Sequence, residues 1–289
     1  MSSIGCNTWI WASSLSDERL AVLAPHVRSL GFDVIELPVE NLGDWDPGRA
    51  AELLAENRLA SSLCAAMPAG RDLLSNNTEV AATQDFLRRC IEIADRIGAS
   101  VVGGPMYSAV GRTWLLEPGE RRRTIERLSE ALRPVVDHAG ERGVKLALEP
   151  LNRYETSLIN TAEHGLEVVE AVDSPALGLL LDTYHMNVEE KSPADAIRLA
   201  GGHLSHVHAS ASDRGAPGAD HVDWPAFAGA VRDVAYDGAL CIEAFTPEDE
   251  AIARAAHIWR PVAATQDDLA RDGLTFLRAL CAAMPAGRD

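Results

Sequence analysis

The sequence predicts a one-domain α/β fold in which eight parallel strands close into a barrel surrounded by helices. Three observations favour it. The chain has 289 residues, and a barrel of this kind takes about 250. Short apolar runs alternate with longer helical patterns throughout, and no Pro-, Gly- or Ser-rich linker interrupts them. We therefore predict a single-domain (β/α)8 TIM barrel over residues 1–289, with an open doubly wound sheet as the alternative.

The predicted strands are short apolar runs, and there are eight of them. Because strand and helix alternate, the strands should be parallel and joined by crossover helices, and eight such units favour closure. The runs are Ile4–Trp9, Asp33–Leu37, Ala60–Ala65, Ser100–Gly104, Lys145–Glu149, Gly178–Asp182, Ser205–His208 and Leu240–Ala244.

The predicted helices show apolar residues at three- and four-residue spacing, the helical period. Ser16 is placed to cap one of them, and Gly31, Gly98 and Gly143 follow helical runs where a left-handed cap is favoured. Asp223 precedes Trp224-Pro225, which is typical of another helix start. The amphipathic stretches are Asp17–Leu30, Glu79–Ile97, Arg121–Arg142, Ala162–Val172 and Pro193–Ala200.

The composition excludes several classes of protein. With 26 basic and 43 acidic residues the net charge is −17, which disfavours a nucleic-acid partner. No apolar run reaches the roughly 20 residues of a membrane helix, and no signal-peptide pattern occurs. The five cysteines are scattered and odd in number, which is typical of reduced thiols, so we expect a cytoplasmic protein without a membrane partner.

One nine-residue segment, CAAMPAGRD, occurs twice, at Cys64–Asp72 and at Cys281–Asp289. No longer period runs through the chain, so the duplication does not indicate a repeat fold. We interpret residues 281–289 as a tail to which no role is assigned.

Four metal-capable side chains stand at the ends of four successive predicted strands. In a parallel barrel these ends build the active site. Three carboxylates and one imidazole favour Mn²⁺, Mg²⁺ or Co²⁺ over a structural zinc. The alternative is that each carboxylate caps a helix or pairs with a Lys or Arg, although a buried carboxylate needs some cationic partner. The four residues are Glu149, Asp182, His208 and Glu243.

Further polar residues occur in the segments that follow these strands. Glu155, His185 and Arg214 could bind the hydroxyl or carbonyl oxygens of a polyol, and their alternative role is in surface ion pairs. By strand alternation His206 lies on the same face as His208, where it could support that residue.

These segments resemble those of the ketose 3-epimerases, the D-tagatose, D-psicose (D-allulose) and L-ribulose 3-epimerases. Residues 148–155, LEPLNRYE, are similar to the family's LE-x-x-NR-aromatic-E run, and residues 181–190, LDTYHMNVEE, to its LDT-aromatic-HMN-x-EE run. The segments His206–His208 with Arg214, Tyr236–Gly238, Ile242–Phe245 and Ile258–Arg260 extend the resemblance to nearly the whole chain.

The resemblance implies roles. Glu149, Asp182, His208 and Glu243 would bind one divalent metal ion, most often Mn²⁺, and Glu149 and Glu243 would also form the catalytic acid/base pair. Glu155, His185 and Arg214 would hold the oxygens of a small ketose, with Trp114 and Phe245 lining the apolar side. It also implies a homo-oligomer, a dimer or tetramer.

The chain departs from the family at two places. Ser210-Ala211 stands where relatives commonly have Gly-Glu, and Cys6 where an aromatic residue is often found. Both changes bear on the preferred sugar, and the first also on the surroundings of the metal ligands.

The implied reaction is epimerisation at C3 of a free ketose through an enediolate, with a metal ion stabilising the charge and two glutamates exchanging the proton. Phosphorylated sugars are disfavoured because no Lys/Arg cluster or Gly-rich loop follows the last strands. The open alternatives are a hydroxypyruvate or aldose–ketose isomerase, an inosose dehydratase, a lyase on an oxidised sugar or glycoside, and a non-catalytic sugar-binding barrel.

Overall fold

In the computed structural model, which describes residues 3–283, the chain forms a closed barrel. Its eight strands are parallel and follow one another in chain order, with β8 pairing back to β1. They are β1 (Ile4–Asn7), β2 (Val34–Val39), β3 (Ala60–Ala65), β4 (Val101–Gly104), β5 (Lys145–Leu148), β6 (Leu177–Asp182), β7 (Leu204–His208) and β8 (Leu240–Ile242). The predicted fold class is confirmed, and each predicted strand begins within one residue of an observed strand.

The helices lie between the strands and cover the outside of the barrel. None of those within residues 3–283 has the length and apolar character needed to cross a bilayer. They are α1 (Asp17–Leu30), α2 (Pro47–Asn57), α3 (Asn77–Ile97), α4 (Pro118–Glu141), α5 (Ala162–Val172), α6 (Thr183–Glu189), α7 (Pro193–Ala200), α8 (Trp224–Asp233), α9 (Glu250–Ala255) and α10 (Gln266–Ala283).

Local capping explains where several helices begin and end. The Ser16 hydroxyl accepts from the backbone N–H of Arg19 at 3.3 Å, and Gly31 and Gly98 cap α1 and α3 with φ of 107° and 74°. Helix α2 was not predicted; it is followed by Arg58, which caps it in the left-handed conformation with φ of 52°.

The segment after Asp182, in which we predicted no helix, forms the short helix α6. Asp182 ends β6 and caps this helix, because its carboxylate accepts from the backbone N–H of Tyr184 at 2.8 Å. His185 is therefore carried by a helical turn that starts at the rim of the barrel.

The two copies of CAAMPAGRD lie in different settings. The first copy forms the end of β3 and the segment that follows it. Of the second copy, which we interpreted as a tail, Cys281–Ala283 end α10, and residues 284–289 lie outside the described part of the chain.

Gly104, the last residue of β4, shapes the barrel next to the rim. Its φ is +131°, and a Cβ at this position would lie 2.8 Å from the backbone oxygen of Ala65. Its own carbonyl accepts from the backbone N–H of Glu149 at 3.1 Å. Glycine is needed here both because φ is positive and because a Cβ would lie too close to the Ala65 backbone.

Replacing Gly104 with Ala should lower the free energy of unfolding by roughly 2–4 kcal/mol, because the left-handed backbone is strained and the new methyl group meets backbone. Urea-induced unfolding measures the loss. Gly202→Ala is the control, since a Cβ at that position would meet no atom of the described chain within 4 Å, and it should change stability by less than about 0.5 kcal/mol. Equal stability of the two variants would contradict the expected strain.

Candidate active site

A pocket of about 350 Å³ opens at the carboxyl ends of the strands. One side of it is polar and charged, and the other is apolar. The charged side includes Glu149, Glu155, His185, Arg214 and Glu243, and the apolar side includes Trp9, Cys64, Met67, Phe245 and Ile252.

The four residues predicted as metal ligands come together in one cluster, of which Glu149 and Glu243 also line the pocket. Glu149 follows β5, Asp182 and His208 end β6 and β7, and Glu243 follows β8. One nitrogen or oxygen atom from each lies within 4.8 Å of those of the other three, and all four residues are buried. The barrel places them there because its parallel strands end at the same rim.

Two buried polar atoms of this cluster make no hydrogen bond to other described residues. His208 Nδ1 lies 3.7 Å from Glu149 Oε1 and 3.6 Å from Glu243 Oε2, too far for a hydrogen bond. Glu149 Oε1 and His208 Nδ1 are both buried without a hydrogen-bond partner among the described residues. Burial acts to lower the pKa of His208, but the Glu243 and Glu36 carboxylates more than offset this and raise it. A divalent metal ion would take the place of a proton at Nδ1, and three carboxylates with one imidazole are a suitable donor set.

Arg214 is the permanent cation of the cluster. Its Nη1 donates to Asp182 Oδ2 at 2.6 Å, to Glu243 Oε2 at 2.9 Å and to Ser210 Oγ at 3.1 Å. Its guanidinium also lies over the ring of Tyr184, at 4.0 Å from the centroid. The φ of Arg214 is +64°, so a strained backbone is held in place by this network of contacts.

The ionisation of two cluster carboxylates is shifted in opposite directions. Burial raises the pKa of Glu149, and the nearby Glu243 carboxylate raises it further against the effect of His208. Burial also acts to raise the pKa of Asp182, but the Arg214 charge more than offsets this and the pKa is lowered. Glu149 is thus the carboxylate whose charge is least compensated by the protein.

Glu155 and His185 are held at the pocket by one residue, Asn152. The Asn152 backbone N–H donates to His185 Nδ1 at 3.0 Å, and its side-chain amide donates to Glu155 Oε1 at 2.7 Å. The other ring nitrogen, Nε2, lies 3.3 Å from Arg214 Nη2 and 3.8 Å from both Glu149 Oε1 and Asp182 Oδ2. The two predicted polar residues therefore offer hydrogen-bonding groups beside the metal-type cluster.

Glu36 is a functional candidate that the sequence analysis missed. It lies in β2, fully buried, and accepts hydrogen bonds from His206 and His208 at 2.7 and 2.9 Å. Burial acts to raise its pKa, but the two histidines more than offset this and hold the pKa well below its ordinary value. The available signal was a charge inside the apolar run Val34-Ile35-Glu36-Leu37.

The predicted aromatic residues differ in their positions. Phe245 lines the pocket and packs against Trp9 with ring centroids 5.5 Å apart. Trp114 does not line it: the Arg112 guanidinium covers its ring at 4.4 Å, and its backbone N–H donates to Ser157 Oγ at 2.8 Å. Trp9 takes the place expected of Trp114, because the turn after β1 directs it towards Phe245.

The two departures from the family pattern also have defined positions. Cys6 is buried in β1 and is not among the lining residues of the pocket. Ser210 is buried beside Arg214, and its backbone N–H donates to Thr183 Oγ1 at 2.7 Å. Ser210 therefore connects the end of β7 with the start of α6 and with Arg214.

Comparison with known proteins agrees with this geometry. The model of the family described as xylose isomerase-like TIM barrel matches residues 25–280. A protein of Synechocystis sp. named probable ketose 3-epimerase is 35% identical over 276 residues, which cover 95% of each chain.

Two solved structures are also similar along their length. An L-ribulose 3-epimerase structure superposes with a TM-score of 0.91 at 32% identity and covers 98% of this chain and 95% of that one. A D-allulose 3-epimerase from Methylomonas sp., solved in complex with D-allulose, has a TM-score of 0.88 at 29% identity, with 96% of each chain covered.

Replacing Asp182 with Asn should lower the free energy of unfolding of the metal-free protein by about 3 kcal/mol, since the buried Arg214 charge loses a partner. Urea-induced unfolding in the presence of a chelator measures this. Asp195→Asn is the matched control, because Asp195 pairs with Arg198 at 3.1 Å on the surface, and its loss should cost less than about 1 kcal/mol. An equally small effect at both positions would show that Arg214 does not depend on Asp182.

Proposed function

The chain belongs to the ketose 3-epimerase family of xylose isomerase-like TIM barrels, and from this membership we propose that it epimerises C3 of a free, non-phosphorylated ketose. The observation that carries the proposal is the convergence of Glu149, Asp182, His208 and Glu243, whose ligand atoms lie within 4.8 Å of one another. Membership of this family identifies the protein as a sugar epimerase. The metal ion, the residue roles and the substrate described below are our proposals.

Glu149, Asp182, His208 and Glu243 would hold one divalent metal ion, for which we propose Mn²⁺, with Mg²⁺ or Co²⁺ as substitutes. When bound, such an ion acts as a Lewis acid and stabilises the negative charge that develops beside the carbonyl group. The unpartnered Glu149 Oε1 and His208 Nδ1 support this assignment. The oxygen-rich donor set supports the choice among these ions.

Glu149 and Glu243 would perform the proton transfer. Inverting C3 requires removal of the proton α to the C2 carbonyl and its return to the opposite face. One carboxylate takes that proton and the other group, in its acid form, donates one, which yields the epimer after an enediolate intermediate. The two glutamates follow β5 and β8 and approach the same atom, His208 Nδ1, at 3.7 and 3.6 Å, so they can act on one bound carbon.

Glu155, His185 and Arg214 would orient the sugar. The His185 imidazole and the Arg214 guanidinium would bind the oxygens near C1 to C3, and the Glu155 carboxylate would accept from a hydroxyl group. Asn152 sets the positions of Glu155 and His185 through its hydrogen bonds of 2.7 and 3.0 Å. These contacts hold the reacting carbon near the two glutamates.

The lining of the pocket supports a sugar without a phosphate group. Arg214 is the only Lys or Arg among its described lining residues, and two carboxylates already pair with it. The rest of the wall is mainly apolar, from Trp9 and Phe245 to Ile252 and Ala256. A phosphate would therefore enter a site in which the described lining offers no further cation to balance its charge.

Chelator-stripped protein should show no turnover, and added Mn²⁺ should restore conversion of a ketose into its C3 epimer. D-fructose, D-psicose, D-tagatose and L-ribulose would be incubated separately and the products resolved by chromatography. Activity that survives chelation, with the metal content confirmed as zero, would contradict the metal dependence. An aldose, or loss of water or of an aglycone, would instead assign the barrel to one of the alternative reactions.

Glu149→Gln and Glu243→Gln should each reduce epimerisation at least about 10³-fold, because each removes one partner of the acid/base pair. In D₂O, the wild type should place deuterium at C3 of both epimers. Each variant should incorporate deuterium at C3 of at most one of the two epimers, and NMR shows which epimer is labelled. Metal content is measured alongside, because both glutamates are also proposed ligands.

Glu248→Gln is the control for this pair. It lies exposed in the segment after β8, and the carboxylate is outside the pocket lining, so activity should stay near that of the wild type. Near-normal turnover in either active-site variant would rule out the two-glutamate mechanism.

A further inference from the structure

We propose that Glu36 is a positioning residue that fixes the proton of His208 on Nε2 and thereby presents Nδ1 as the metal-binding atom. The inference rests on the proposed metal-dependent function, because it concerns the same cluster. Glu36 lies on the far side of His208 from Glu149 and Glu243, since it contacts Nε2 whereas they face Nδ1.

The hydrogen-bonding capacity of the Glu36 carboxylate is fully used. Oε1 accepts from Asn7 Nδ2 and His208 Nε2, both at 2.9 Å. Oε2 accepts from Ser62 Oγ at 2.8 Å and from His206 Nε2 at 2.7 Å. A carboxylate has about four acceptor positions. All are occupied, so the group has no place for a proton of its own.

The donor at each of these contacts is fixed by its other partners. Asn7 Oδ1 accepts from the backbone N–H of Trp9 at 2.9 Å, which turns its amide nitrogen towards Glu36. With the carboxylate ionised and acceptor-only, both histidines must donate from Nε2. Glu36 therefore connects side chains of β1, β3 and β7, and it keeps a proton on Nε2 of His208.

The position of this proton decides which atom faces the cluster. With a proton held on Nε2, Nδ1 is the atom that can exchange its proton for a metal ion, and this buried atom has no hydrogen-bond partner in the described chain. The ring is held from its side by His206, whose centroid lies 5.2 Å away at an interplanar angle of 78°. A carboxylate behind a metal-binding imidazole orients the ring and makes it a better ligand.

The alternative role for Glu36 is as a ligand of a second metal site, and the measurements below distinguish the two roles. Atoms of Glu36, His206 and Cys241 also lie within 4.8 Å of one another, as they would in a second metal site. The saturated hydrogen bonds of Glu36 favour the positioning role, because a metal ion there would have to displace donors from β1, β3 and β7.

The first measurement is ¹⁵N NMR of histidine-labelled wild-type protein loaded with diamagnetic Mg²⁺, because the surrounding carboxylates raise the pKa of His208 in the metal-free protein, with the His208 signals assigned from His208→Gln. The expected spectrum shows a protonated Nε2 and an unprotonated Nδ1 at His208. Protonated Nδ1 would overturn the proposal without any variant of Glu36.

The second measurement is calorimetric titration of Mn²⁺ into stripped Glu36→Gln protein. The amide places an NH₂ group against donors, so the tautomer should become mixed and Mn²⁺ affinity should fall about 10- to 100-fold. Wild-type protein should bind one Mn²⁺ ion. Wild-type affinity in the variant would overturn the proposal, and so would two ions in the wild type with one lost in the variant.

Asp72→Asn is the matched control for burial. Asp72 is a buried carboxylate that accepts from the backbone N–H of Leu74, the backbone N–H of Ala109 and Arg112 Nη1, away from the cluster. This variant should lose thermal stability but keep the wild-type Mn²⁺ affinity and His208 spectrum. Neither readout uses a sugar, so failure of epimerisation would reject the proposed function while leaving the role of Glu36 testable.

Discussion

The structure of the rim depends on one constraint, the burial of several carboxylates in a small volume. Glu149, Asp182 and Glu243 are all at most 4% exposed, and ionised groups removed from water are costly unless a cation compensates them. Arg214 compensates Asp182 and Glu243 by direct contact. Glu149 receives no such partner from the described residues, so the demand for a metal ion is concentrated at its side of the cluster, opposite His208 Nδ1.

The barrel accommodates the buried carboxylates by arranging its charged residues in two layers. The upper layer is the pocket floor, where strand ends deliver the metal-type ligands and Arg214. The lower layer is Glu36 inside the barrel, bound by His206 and His208. His208 belongs to both layers, with one ring nitrogen in each, so the geometry of the floor is coupled to hydrogen bonds made by β1 and β3. The placement of the His208 ring thus depends on side chains of β1 and β3, which are remote from His208 in sequence.

The periodic pattern of the sequence predicted the strands and the closure of the barrel. Residues whose roles depend on tertiary contacts were missed. Strands, closure and the convergence of four strand-end residues follow from a period and a shared rim. Glu36 was missed because nothing local distinguishes a charge bound by two histidines about 170 residues later from an ordinary polar interruption. The exchange of Trp114 for Trp9 has the same origin, since side-chain direction after a strand depends on the local turn. Helix α6 was missed because Thr183–Glu189 spans about two turns, too few to show a helical period.

The change from Gly-Glu to Ser210-Ala211 can be understood in terms of the same charge balance. A glutamate at 211 would add a carboxylate beside a floor that already holds three, whereas Ala211 is buried and neutral. Ser210 contributes a hydroxyl at 3.1 Å from Arg214 Nη1, which orients the guanidinium without adding charge. Arg214 therefore keeps its full charge for Asp182, Glu243 and a bound ligand. At these two positions the chain thus holds Arg214 with a neutral hydroxyl, and the four metal-type ligands still lie within 4.8 Å of one another.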